Sequence, residues 1–273
     1  MWKSLNDLAA ENPQKLEELT AFHWFTKAQG IEYQHLCPNE RPDFVMVAGG
    51  RQIGVEITMA ERNLQGACFS ARQIEQAHRE FAKTLLSRVK PKLHLEIGLV
   101  FNDEKPVDKT TIDKALDIIV PEINRVSQNM PHHSVERLVR DKTDVRGASD
   151  QVLHVCKDIP DFLQHIHLFN DGHKFTCIGG SRGGVVSDFT DQDLAPILQR
   201  KHKALKGYGR CDEQWLVIVA GTLPPIYMPE EPPKILIPTT ASAFGGLAVA
   251  MPVQSDFDRV FYFKSPSDAY QLT

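Results

Sequence analysis

Five cysteines stand in 273 residues. Cys37, Cys68, Cys156, Cys177 and Cys211 are odd in number, widely scattered and never spaced as Cys-x-x-Cys. That excludes a disulfide framework and a cysteine zinc site, and reads as reduced thiols. No run of 18 apolar residues occurs, and the opening MWKSLNDLAAENPQKLEEL has no apolar core. A membrane-spanning helix and a secretory signal are therefore not expected, and a cytoplasmic protein with no membrane partner is. Internal repeats and low-complexity linkers are missing too. Neither sign of charge dominates: the net charge is -4, which excludes a uniformly basic nucleic-acid binder but leaves room for a local basic patch. The histidines include His132-His133, His154-x-Cys156 and His165-x-His167, and none has a recognised metal-ligand spacing. What is present, 42% hydrophobic and 24% charged residues, describes an ordinary globular chain, expected as a single domain over 1–273.

The most informative stretch is Arg41 to Thr58, RPDFVMVAGGRQIGVEIT. Gly49-Gly50 between two apolar-alternating runs predicts a two-residue hairpin loop. Counting outward, Ala48 faces Arg51, Val47 faces Gln52 and Asp43 faces Glu56. Two acids opposite each other repel and raise one carboxyl pKa, so the pair needs a compensating cation or an open, wet site. A divalent metal on oxygen ligands is the natural compensator. Gln52, Gly54, Glu56 and Thr58 share one face of the strand, whereas Ile53, Val55 and Ile57 line the other, which separates the acidic face from the core face.

These residues resemble the PD-(D/E)xK, or restriction-endonuclease-like, nucleases. The pattern of that superfamily is an Asp opening one strand, Glu-x-Lys on the next and a Glu on the preceding helix. Pro42-Asp43 and Glu56-Ile57-Thr58 match it, with Thr58 where the Lys should stand. The resemblance implies an α/β fold, a mixed central β-sheet flanked by helices on both faces, with a restriction-endonuclease-like core. It implies Mg²⁺ or Mn²⁺ on Asp43, Glu56, the carbonyl of Ile57 and Glu18, and hydrolysis of phosphodiester bonds in a nucleic acid, with DNA as the expected partner. Glu18, Ala21 and Gly30 fit the helix part of the pattern. A homo-oligomer is compatible with the reading. The rival is a catalytically inactive nuclease-like module, which keeps the fold without the lysine and binds nucleic acid or a protein.

Elsewhere the periodicities set the frame. Asn12 as N-cap, Pro13 and a Gly30 stop predict the first helix, and Ile31 to Leu36 reads as the strand before the hairpin. Met59 to Phe69 reads as loop, and Ser70-Ala71-Arg72-Gln73 as a capping box. The helix it opens has Ile74, Ala77, His78, Phe81, Leu85 and Val89 as its buried stripe. Lys83 lies opposite that stripe. Leu93 to Phe101 reads as an apolar strand with His94 and Glu96 on its far face. Thr110 to Gln128 is a helical pattern interrupted by Pro121, CIGGSRGG (177–184) reads as a glycine-rich hairpin or loop, and about 105–188 reads as an insertion. In the helix after Asp193, Leu194, Ile197, Leu198, Leu205 and Tyr208 form a stripe with Lys201 in its middle, while Lys203 points away. Lys201 is thus the candidate for the charge that Thr58 cannot carry. Arg200 to Arg210 holds five Lys or Arg and no acid, a face suited to phosphates. Trp215 to Ala220 and Phe257 to Phe263 read as buried strands.

Overall fold

The computed structural model describes residues 8, 11–62, 70–91, 93–102, 105, 107–141, 152–172, 175–181, 187–224, 226, 234–236, 242–266 and 268–273. The chain forms two compact units, Met1–Gly66 with Val185–Met228 and Thr239–Thr273, and Ala67–Gly184 with Pro229–Pro238. The expectation was one domain with an insertion at about 105–188. The second unit instead begins at Ala67, because the helix after Ser70 and the strand before Asn102 pack into a core of their own.

In the first unit, helix α1 (Pro13–Gln29) starts where the Asn12 side chain accepts the Lys15 N–H and ends on Gly30, which has φ 62°. The Ile31 N–H bonds back to the Thr26 carbonyl. That bond ties Ile31 to the helix end, so strand β1 (His35–Pro38) opens later than the expected Ile31. The hairpin of β2 (Phe44–Ala48) and β3 (Arg51–Met59) has the register read from the glycines: Ala48 faces Arg51, Val47 faces Gln52 and Phe44 faces Val55. Both loop glycines have positive φ, 57° and 75°, as a two-residue hairpin turn requires. Strand β10 (Glu213–Val219) lies parallel to β3 and to β13 (Arg259–Ser265), and β14 (Asp268–Gln271) closes the edge, giving the order β1-β2-β3-β10-β13-β14. The sheet is mixed.

Each face of this sheet is covered by a helix. Ala21, Phe22 and Phe25 of α1 pack on Met46, Ile53, Val55, Ile57, Val217, Phe261 and Phe263. Leu194 and Ile197 of α4 (Asp191–Leu205) pack on Leu216, Ile218, Val260 and Tyr262. The fold class is α/β.

The second unit has its own mixed sheet. Strands β4 (Glu96–Phe101), β5 (Ser134–Val139), β6 (Val152–Val155), β7 (Leu163–Asn170), β8 (Cys177–Ser181) and β11 (Ile235–Leu236) take the order β11-β8-β4-β7-β5-β6. Its helices are α2 (Ala71–Arg88), opened by the Ser70/Gln73 capping box, and α3 (Ile112–Val126). Pro121 lies inside α3 without breaking it. The penalty of an interior proline, about 3 kcal/mol, is offset by the buried stripe Ala115, Leu116, Ile119, Ile123 and Val126. Cys177–Ser181 is strand rather than loop, and 182–184 of the glycine-rich stretch lie outside the described residues, as do 63–69 of the expected loop after Thr58. Cys37, Cys156, Cys177 and Cys211 are free thiols. Among the described residues no helix is long and apolar enough to cross a membrane.

Candidate functional site

One residue beyond the last pair of the β2/β3 ladder, Asp43 comes opposite Glu56. The Asp43 carboxylate accepts the Ile57 N–H at 2.8 Å, which fixes it across the strand from Glu56. Pro42 helps to set this approach. An added Cβ at Gly54 would stand 2.8 Å from the Pro42 ring, so only a glycine lets that ring lie against β3. The site therefore grows from the hairpin.

Of the two expected arrangements, a compensating cation or an open, wet site, this buried face has the first. Glu56 is 6% exposed and Thr58 8%, because their cross-strand neighbours Leu216 and Ile218 belong to the core under α4. Compensation comes from two lysines. Lys201 Nζ of α4 lies 2.5 Å from Glu56 Oε1, whereas Lys203 and Lys83 are exposed. From α1, Lys15 is buried between two acids, 2.5 Å from Glu18 Oε2 and 3.5 Å from Asp43 Oδ1, and it donates to the Asn39 carbonyl. Glu18 is thus held to Lys15, at the edge of the acid pair. Ile57 contributes its N–H to Asp43, and its side chain is in the core beneath α1.

Charge and burial together set the protonation of the group. Burial first, and Glu56 second, push the Asp43 pKa from 3.8 up to about 7, against the pull of the Ile57 N–H. Burial alone would lower Lys15, but Glu18 and Asp43 outweigh it and hold its pKa raised. The Tyr208 phenol, just past the end of α4, is driven above its ordinary range by burial and then by the adjacent Glu56. Arg41 also bears on Tyr208. Arg200 Nη2 reaches Thr58 Oγ1 at 3.4 Å, so a second cation of α4 stands beside Thr58.

Four of these residues escaped the sequence reading as members of the site: Lys15, Arg41, Arg200 and Tyr208. Lys15 carried one local signal, its i,i+3 spacing to Glu18, which solvated helix pairs share. Tyr208 was assigned to the α4 stripe, yet the helix stops at Leu205. Glu96, on the far face of its strand, belongs to the second sheet, where its carboxylate lies over Gly179. His78 is buried and stacked on Phe101.

Among the described residues no group of three or more His, Cys, Asp or Glu is gathered to hold a metal. Mg²⁺ asks for less, since one or two carboxylates suffice when water and substrate oxygens complete the octahedron. Asp43 and Glu56 supply two. Glu56 Oε2 is buried with no hydrogen-bond partner, and an acid pair that holds a proton near neutrality is one that a divalent cation relieves. The donor set fits Mg²⁺ or Mn²⁺. No family model, no curated protein and no solved structure matches this chain.

Proposed function

We propose that the protein is a metal-dependent nuclease that hydrolyses phosphodiester bonds, with DNA as substrate, in the cytoplasm. The observation that carries the reading is the buried pair Asp43 and Glu56 with the Lys201 ammonium 2.5 Å from Glu56. Such a trio has little structural use: replacing a buried ion pair by well-packed apolar residues is often neutral or stabilising. Asp43 and Glu56 would hold Mg²⁺, with Glu18 close by and Ile57 as the backbone neighbour between Glu56 and Thr58. When bound, the ion would acidify a water and draw charge from a phosphoryl oxygen. Lys201 sets a positive charge where the phosphate accumulates negative charge. Lys15 holds Asp43 and Glu18 in place, and Tyr208 flanks Glu56. The cations Lys15, Arg41, Arg200 and Lys201 exceed the acids Glu18, Asp43 and Glu56 around the site, although the chain as a whole is acidic. An anionic substrate suits that local balance.

One observation favours a second reading. Each acid already has a lysine, Asp43 through Lys15 and Glu56 through Lys201, so the group is also intelligible as a closed ion network in a non-catalytic module that binds nucleic acid or a protein. The two readings separate in one assay. Duplex and single-stranded DNA, and RNA, are incubated with the protein in Mg²⁺, Mn²⁺ or EDTA, beside Asp43→Ala and Glu56→Ala of unchanged circular dichroism. The proposal expects metal-dependent cleavage by the unmodified protein and none by either variant. Cleavage in EDTA, or by the variants, would refute it.

A further inference from the structure

We propose that Thr58 and Arg200 form a seat for a phosphate of the nucleic acid, beside the acid pair; the inference rests on the reading of this site as one that acts on a phosphodiester. Thr58 follows Glu56 by two residues on β3 and so points to the same face, about 7 Å further along the strand. Its side chain is buried. Arg200, in contrast, sits at an exposed position of α4 and reaches inward to the Thr58 oxygen at 3.4 Å.

That one contact occupies little of the side chain. A guanidinium has five N–H donors in a planar fork, and a single long contact to Thr58 leaves most of the fork free. Thr58 Oγ1 accepts from Arg200, which leaves its own O–H to donate. The two side chains together therefore present mainly donors, the guanidinium N–H groups and the Thr58 O–H, of the kind that pairs with two oxygens of one phosphate.

Several other arginines, unlike Arg200 and also unlike Arg41, Arg137 and Arg210, have an internal carboxylate among the described residues. Arg51 pairs with Glu213, Arg79 with Glu75, Arg88 with Asp113, Arg125 with Glu122 and Arg140 with Asp161. Among the described residues no carboxylate pairs with Arg200. Its neighbour Lys201 is already committed to Glu56. A guanidinium held by a hydroxyl at the rim of a site, with no internal anion, is placed for an external one.

The test separates binding from cleavage. Affinity for a short DNA duplex is measured by fluorescence anisotropy in Ca²⁺ over a range of salt, for the unmodified protein, Arg200→Ala, Arg200→Lys, Thr58→Val and Lys83→Ala. Arg200→Ala is expected to weaken binding about 10- to 100-fold, the loss of one charge-assisted contact. It should also flatten the slope of log affinity against log salt by about 0.9, the value of one phosphate contact on duplex DNA. Arg200→Lys keeps the slope while losing part of the affinity, Thr58→Val weakens binding less than Arg200→Ala does, and Lys83→Ala changes nothing. A merely structural arginine would not move the slope. Binding by the unmodified protein with the same slope in Arg200→Ala overturns the inference, even if cleavage in Mg²⁺ upholds the proposed function. An Arg200-dependent slope without any cleavage supports the seat and removes the nuclease. No DNA binding by the unmodified protein overturns the seat outright.

Discussion

Asp43 is the residue at which burial and charge meet most closely. Its carboxyl is forced up to about 7 by burial and by Glu56, which has a definite sign for stability. An acid whose folded pKa stands above its unfolded value binds a proton more readily when folded, so its contribution is greatest at low pH and is lost as pH rises through the window between the two values. Here that window runs from 3.8 to about 7. Asp43→Asn keeps an acceptor for the Ile57 N–H and removes the titration. In EDTA, thermal unfolding should show the variant gaining on the unmodified protein from pH 4 to pH 7, with a constant advantage above about pH 8. A gap that does not change with pH would contradict the assigned cause. The same scale shows what a sequence can disclose about a site. Lys201 is legible because an amphipathic helix has a phase, and a lysine on its apolar stripe must find an acid or snorkel. Lys15 is not legible, because its burial depends on the Asn39 carbonyl and the Asp43 carboxylate arriving from a distant segment.

Elements explain why the hairpin could be read and the second sheet could not. Two glycines and a strict alternation fix the β2/β3 pairing locally, and Asp43 opposite Glu56 follows from counting. Gly54 adds a steric requirement in the same ladder, since Pro42 and Gln214 close over it. Gly54→Ala would push both away, at a cost of about 1–3 kcal/mol in stability, read from the shift of a urea midpoint. It should also lower any activity that depends on Asp43, because Pro42 precedes it. An unchanged midpoint would mean that Gln214 moves aside at little cost. In the second unit the pairings of β4 with β7 and β8 join segments far apart in sequence, and nothing local encodes them. The run Cys177–Ser181 illustrates the difficulty. Glycines usually announce a turn, but Gly179 is a strand residue whose missing side chain makes room for Glu96, with an added Cβ only 3.0 Å from the Glu96 carboxylate. Pro121 misleads in the opposite direction, because tertiary packing holds α3 together through it.

At the scale of the whole molecule, the first unit carries every residue of the candidate site, while the second unit holds a separate sheet with a separate core. The acidic chain concentrates cations at one place, and they come from three elements: Lys15 from α1, Arg41 from the segment before β2, and Arg200 and Lys201 from α4. On the proposed nuclease reading, the central claim is that α4, through Lys201 beside Glu56, supplies the positive charge that Thr58 cannot carry. The most direct measurement is the single-turnover cleavage rate, at saturating protein and Mg²⁺, of Lys201→Met beside Lys203→Met and Lys83→Met. A misplaced or missing transition-state donor costs about 100- to 1,000-fold in rate, so Lys201→Met should fall by that order while the other two stay near the unmodified rate. Equal and small effects of all three substitutions would contradict the claim.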